Sequence, residues 1–146
     1  MVDGLAALAG ASFGGVVAQW VVTMPALSGG MPNVLLAGAQ LAGLAGGYLA
    51  LIGLLPAARV PVLDATIGLD RLINLHARLG RWTLLALVVH GVAVTFAYAA
   101  LARIGPLAQF GTLVGRYPWV LPAAVGLGLV LVAGVGSWWR VRRRLR

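Results

Sequence analysis

The sequence contains no cysteine, no lysine and no glutamate, and these absences exclude several kinds of chemistry. Without cysteine the chain forms no disulfide, ligates no iron–sulfur cluster and performs no thiol chemistry. Its only acids are Asp3, Asp64 and Asp70, which do not form a catalytic acid–base pair. There is also no serine–histidine–carboxylate arrangement and no glycine-rich phosphate loop, so nothing in the sequence supports a hydrolase or an ATPase.

Apolar residues dominate what is present. They fill 61% of the 146 positions, only 10% of the residues are charged, and the mean hydropathy is +0.97. A soluble domain of this size needs more polar residues to cover its surface, so the composition predicts an integral membrane protein. The net charge of +8 comes from arginines that flank apolar stretches, which favours membrane orientation over nucleic-acid binding.

Four apolar stretches each approach the roughly 20 residues that a helix needs to cross the hydrocarbon core. They lie at about residues 5–24, 34–55, 72–101 and 118–139. None shows the alternation of an outer-membrane barrel strand, and the first lacks the positive flank of a cleaved secretory signal. We therefore predict an all-α, polytopic four-helix membrane bundle that forms one transmembrane domain over residues 1–146.

The distribution of arginine predicts how this bundle is oriented. Four arginines lie within residues 59–81 and five within residues 140–146, whereas Arg103 and Arg116 alone fall on the opposite side. The positive-inside rule then places both termini in the cytoplasm and directs the third helix outward. We expect the plasma membrane to be the location.

Helix packing and helix ends give two local expectations. Gly43 and Gly47 have the GxxxG spacing that lets membrane helices approach closely, although glycine is abundant throughout this chain. Asp70 precedes the third stretch and is interpreted as the N-cap of its helix. The connection at residues 103–116 is long enough for a short interfacial helix.

The chain has two histidines, His76 and His90, and both fall in the third helix. A separation of 14 residues corresponds to about 21 Å along a helix axis and to directions within about 40° of each other. Ionisable residues inside a membrane are rare and often functional, and a neutral imidazole can ligate haem iron. One helix could therefore hold two haems at two depths.

A structural role is the alternative for these polar residues. His76 could be an interfacial residue among nearby arginines, and His90 could hydrogen-bond a neighbouring helix. Arg78 and Arg81 could pair with haem propionates, because a guanidinium group matches a carboxylate, or could anchor the helix at lipid headgroups. The spacing alone leaves these alternatives open.

The stretch from Leu54 to His90 resembles the ferric reductase-like transmembrane family, which includes ferric reductases and NADPH oxidases. The matching features are Arg59-Val60-Pro61, Ile67-Gly68-Leu69-Asp70-Arg71-Leu72, His76 followed by Leu79-Gly80-Arg81, and His90. The resemblance implies the first four helices of a six-helix core that holds two b-type haems. His76 would ligate the inner haem iron and His90 the outer one. Electrons would pass outward from a cytoplasmic flavin and NAD(P)H module.

The chain departs from that family pattern in its histidine count. No histidine follows His90, so these residues supply one axial imidazole to each haem. A longer polypeptide, a partner chain or a parallel homodimer would supply the missing helices and ligands. We therefore expect a component of a haem-dependent membrane oxidoreductase that works with a flavin reductase module. The competing hypothesis is a four-helix membrane scaffold or accessory subunit without a cofactor.

Overall fold

The computed structural model describes residues 2–24 and 27–144, and over these ranges the chain is almost entirely helical without any strand. The six α-helices are α1 (Val2–Thr23), α2 (Met31–Ala57), α3 (Pro61–Ile67), α4 (Leu69–Ala102), α5 (Pro106–Arg116) and α6 (Val120–Arg144). A short 3-10 turn, Leu27–Gly29, leads into α2. The prediction of an all-α membrane-type bundle is confirmed.

Glycine and proline determine where several helices begin. Gly30 and Gly68 have φ values of +81° and +87°, which side chains other than glycine rarely adopt, and each precedes a long helix. Pro61 and Pro106 begin α3 and α5, where the missing amide hydrogen costs nothing. Gly68 is the N-cap of α4, so the assignment of that position to Asp70 is wrong.

Two short helices join the long ones: α3 was not predicted, whereas α5 lies in the connection that was predicted to be long enough for a short helix. Residues 61–67 form α3, which contains Asp64, and residues 106–116 form α5. Gly68 separates α3 from α4, and Arg103, in the left-handed conformation, ends α4. Each short helix therefore lies in a segment between two of the predicted spans. The third long helix accordingly begins at Leu69 and continues unbroken to Ala102.

Helices α2 and α4 form the central pair of the bundle. Small residues line the face of α2 that meets α4, and Ala39, Gly46 and Gly53 are buried there. A Cβ atom added at Gly46 would lie 2.9 Å from the Leu87 side chain, which is closer than real Cβ contacts. The two backbones can therefore approach because α2 presents almost no side-chain volume at these positions.

Helix α1 is attached to α2 by hydrogen bonds and an aromatic contact. The Trp20 indole N–H donates to the carbonyl oxygen of Ala37 at 2.9 Å. The Tyr48 hydroxyl hydrogen-bonds with Ser12 at 2.8 Å, and its ring lies 5.2 Å from that of Phe13. Trp20 and Tyr48 therefore hold α1 against α2.

Two helices within the described residues, α2 and α4, are long and apolar enough to cross a membrane. The bent pair formed by α5 and α6, whose axes meet at 114°, counts as a third span if both parts are taken together. Residues 7–23 of α1 form a shorter apolar helix. Spanning by α1 and α6 as separate helices stays a prediction.

Candidate functional site

Helix α4 presents both histidines to α2. The His76 ring donates from Nδ1 to the carbonyl oxygen of Gly53 at 2.9 Å. The His90 ring donates from Nδ1 to the carbonyl oxygen of Ala39 at 2.7 Å. Both acceptors are buried residues of α2, so the two imidazoles lie on one side of α4 at two levels.

These hydrogen bonds fix the tautomer of each ring. A carbonyl oxygen only accepts, so Nδ1 must carry the proton in both His76 and His90. In the neutral ring the lone pair then resides on Nε2, which is the atom left to bind a metal. Metal-ligating histidines usually donate their other ring N–H to a carboxylate or a carbonyl, which orients the ring and raises its basicity.

The donors and acceptors have matching spacings along two helices that run in opposite directions. His76 and His90 are fourteen residues apart on α4, and Gly53 and Ala39 are fourteen residues apart on α2. The later histidine pairs with the earlier acceptor, as antiparallel helices require. The same local unit therefore occurs twice, separated by about 21 Å along the helix pair.

Gly43 lies directly beneath the His90 ring. A Cβ atom added there would lie 2.6 Å from Nδ1 and 2.8 Å from Cε1 of that imidazole. No atom lies within 4 Å of a Cβ added at Gly47. The close approach predicted for Gly43 is present, but its partner in the helix contact is Gly46 and not Gly47.

Thr83 lies on α4 midway between the two histidines. It is seven residues from each, so helical geometry places it within about 20° of each of their directions. Its hydroxyl oxygen is buried and has no hydrogen-bond partner among the described residues. No signal in the sequence distinguished this threonine from the other polar residues of the predicted spans.

Arg78 and Arg81 are exposed on α4 and do not share the histidine face. Helical geometry turns them by about 160° and 140° from the direction of His76. Neither guanidinium group forms an ion pair or a hydrogen bond with the described part of the chain. The structure therefore does not bring them together with His76, and a role with propionates stays a prediction.

The two histidines are separate single-ligand positions. Across residues 2–24 and 27–144, no group of three or more histidine, cysteine or acidic residues comes close enough to hold a metal ion. A bare ion would need several such side chains around it. A haem needs only axial ligands from the protein, because its macrocycle supplies the remaining four.

Comparison with protein-family models identifies residues 42–146 as a "Ferric reductase like transmembrane component". The chain belongs to the ferric reductase-like transmembrane family. The match covers well over half of the chain and includes both histidines, Gly43 and Gly53. No curated protein and no solved structure matches the chain significantly.

Membership in the ferric reductase-like family makes this chain a component of a membrane oxidoreductase system, and its relatives generally bind haem. The resemblance found in the sequence is thereby confirmed. What the sequence did not reveal is the α2 half of each histidine site. Gly53 and Ala39 act through backbone carbonyls, which any residue type carries, so only the register of the two helices identifies them.

Proposed function

We propose that this chain is the haem-carrying part of a transmembrane electron-transfer system. His76 would bind the iron of an inner b-type haem and His90 that of an outer one, each through Nε2. With both termini in the cytoplasm of a plasma-membrane protein, α4 would run outward from His76 to His90. Bound haem would supply a one-electron redox centre at each level.

The observation that carries this proposal is the Nδ1 hydrogen bond of each imidazole to α2. It leaves the metal-binding nitrogen free and holds the ring in one orientation, which is the arrangement that haem ligation needs. A purely interfacial histidine would have no need of a buried carbonyl acceptor. Two rings fourteen residues apart make the same bond, and this repetition supports the haem proposal.

The surroundings of His90 are suited to a redox centre in an apolar medium. The ring is partly buried between α2 and α4, with Gly43 packed against it. Burial and the hydrogen bond at Nδ1 both influence the reduction potential of a ligated iron. Arg78 and Arg81 would add positive charge nearer to the His76 level.

Elements outside these 146 residues complete the proposed system. The second axial ligands would come from a longer polypeptide, a partner chain or a second copy, and electrons from a flavin and NAD(P)H module. A parallel dimer would place equivalent histidines at equal depths. Crosslinking of haem-loaded protein distinguishes the dimer from the other two sources, because only the dimer requires two copies of this chain.

An absorbance spectrum after haem-replete expression tests the proposal. We expect a Soret band and a b-type pyridine haemochrome, and we expect His76→Asn and His90→Asn each to remove about half of the haem. Asparagine is the informative substitution because its amide N–H takes the place of Nδ1 but it offers iron no imidazole nitrogen. A folded wild-type preparation without colour would contradict the proposal.

A cofactor-free scaffold is the second candidate, because hydrogen bonds to α2 could also serve packing alone. Under this hypothesis the wild type and both asparagine variants are colourless, the variants keep the bonds, and only the packing of the His90 ring is lost. Under the haem hypothesis the wild type is coloured, each variant loses about half of the haem, and the same loss of packing accompanies the His90 variant. The two hypotheses therefore differ in the spectrum and agree in the folding measurement.

A further inference from the structure

An open cavity of about 460 Å³ lies on the surface at the end of α4 that is distant from His76, where α5 packs against α4. Leu101 and Leu113 contribute apolar walls, and Tyr98, Gln109, Arg116 and Tyr117 contribute polar ones. Its volume falls within the range of about 300–1,000 Å³ that small-molecule sites occupy. Neither histidine lines it.

Gln109 is the decisive residue of this cavity. Its side chain is only 6% exposed, although glutamine is usually a surface residue. Its backbone N–H bonds to the carbonyl of Gly105 at 2.9 Å, but its side-chain amide has no partner among the described residues. The side-chain nitrogen and oxygen of Gln109 are not among the fully buried atoms that lack a partner, so they are accessible from the cavity that this residue lines. A ligand in the cavity can therefore hydrogen-bond with this amide.

The polar wall favours an anion. Arg116 brings a permanent positive charge, and the amide of Gln109 and the hydroxyls of Tyr98 and Tyr117 can all donate. No acidic residue is among those that line the cavity, so no carboxylate of its wall competes for these donors. Several donors around one arginine match the oxygens of a phosphate group.

The position of the cavity indicates where such a phosphate comes from. Next to it, α5 and α6 meet at 114° and the exposed rings of Tyr117 and Trp119 lie at the bend. Tyrosine and tryptophan concentrate at the level of lipid headgroups. The apolar walls formed by Leu101 and Leu113 suit the first part of an acyl chain.

We propose that this cavity binds a phosphate oxyanion, with the headgroup of an anionic phospholipid as its source in the membrane. Arg116 would pair with the phosphate, and Gln109 would donate to one of its oxygens. This site is independent of the haem proposal, because neither histidine nor any cofactor takes part. Its test can therefore fail or succeed whatever the absorbance spectrum shows.

Lipid titration of the detergent-purified chain tests the site. Dioleoylphosphatidylglycerol, dioleoylphosphatidylcholine and inorganic phosphate are added separately, and binding is followed by tryptophan fluorescence. We expect phosphatidylglycerol to bind at least tenfold more tightly than phosphatidylcholine. Arg116→Gln should weaken that binding about tenfold or more, because it removes a charge-assisted hydrogen bond. Gln109→Leu should weaken it about threefold to tenfold through loss of a neutral one.

Arg103→Gln is the matched control, because it removes the same charge from the same end of the molecule but lies outside the cavity lining. It should change the affinity less than twofold. Gln109→Glu keeps the size of the side chain and should abolish binding by repulsion, which guards against a folding defect in the leucine variant. Tight binding of inorganic phosphate alone would support the oxyanion site with the free ion as its source. Equal loss in the Arg103 and Arg116 variants, or equal binding of both lipids, would overturn the proposal.

Discussion

The sites of His76 and His90 use the same hydrogen bond but differ in how closely the helix pair surrounds them. His90 is partly buried, and Gly43 of α2 lies in contact with its ring. His76 is exposed, and a Cβ added at Gly53 would approach only Leu79, at 3.8 Å. The His90 site therefore combines a hydrogen bond with close packing against α2, whereas the His76 site has the hydrogen bond to α2 alone.

This difference indicates which histidine controls haem content alone and which also controls the stability of the helix pair. At His90, ring position and helix packing depend on each other, because any change in the ring alters the contact with Gly43. At His76 the ring can change without disturbing a packed neighbour. We therefore expect variants at the outer site to affect both haem content and stability, and variants at the inner site to affect haem content alone.

The largest effect is expected from the histidine substitutions themselves. His90→Asn should remove the outer haem and also lower the free energy of unfolding by about 1–3 kcal/mol, because part of a packed ring is lost. His76→Asn should remove the inner haem with little change in stability. Haem content by pyridine haemochrome and unfolding in detergent measure the two effects. Equal destabilisation by both variants would contradict the claim that only the His90 ring is packed closely against α2.

Next in size is the effect of a methyl group at Gly43. Gly43→Ala places a Cβ 2.6 Å from Nδ1 of His90 and should displace the ring, at a cost of about 1–3 kcal/mol. The matched control is Gly47→Ala, where the space is open and alanine should stabilise the helix by about 0.5–1 kcal/mol. A redox titration should show the outer haem altered in the first variant only. Similar behaviour of the two variants would contradict the assigned contact.

A smaller effect is expected from the arginine near the inner site. Arg81→Gln removes a positive charge that disfavours the oxidised haem. The substitution should therefore lower the midpoint potential of the inner haem by tens of millivolts. Arg103→Gln, at the far end of α4, should leave that potential unchanged. Potentiometric titration distinguishes the two haems. If Arg81 only anchors the helix at headgroups, its variant will show no shift.

The smallest effect is expected at Thr83, between the two sites. Thr83→Val removes a buried hydroxyl that has no partner within the described residues, so stability should rise by about 1 kcal/mol. The control is Thr95→Val, because the Thr95 hydroxyl donates to the carbonyl of Gly91 at 2.8 Å and its loss should not stabilise. A fall in stability for the Thr83 variant would indicate that its hydroxyl has a partner in the assembled protein.

The sequence was sufficient for features that depend on one helix at a time. Hydropathy predicted the long helices, and the spacing of His76 and His90 predicted their common side. Linked motifs between residues 54 and 90 were enough to identify the family. These signals are local or periodic, so they can be recognised without knowledge of the tertiary structure.

Features that depend on two helices at once could not be predicted. Gly53 and Ala39 accept hydrogen bonds through atoms common to all residues, and Gly43 differs from Gly47 only in what lies opposite it. The connection at residues 103–116 was predicted to be long enough for a short helix, but the sequence defined neither the bounds of α5 nor the burial of Gln109. The roles of these residues depend on what packs against them and not on their residue type.

The equal spacing of the two acceptors on α2 and the two donors on α4 has a mechanical consequence. Sliding one helix past the other by one turn, about 5.4 Å, would take both rings out of reach of their oxygens together. Both hydrogen bonds therefore depend on the same register of α2 and α4, and neither histidine can change its partner independently of the other. A perturbation that shifts α2 against α4 at one membrane surface should therefore also alter the histidine hydrogen bond near the opposite surface.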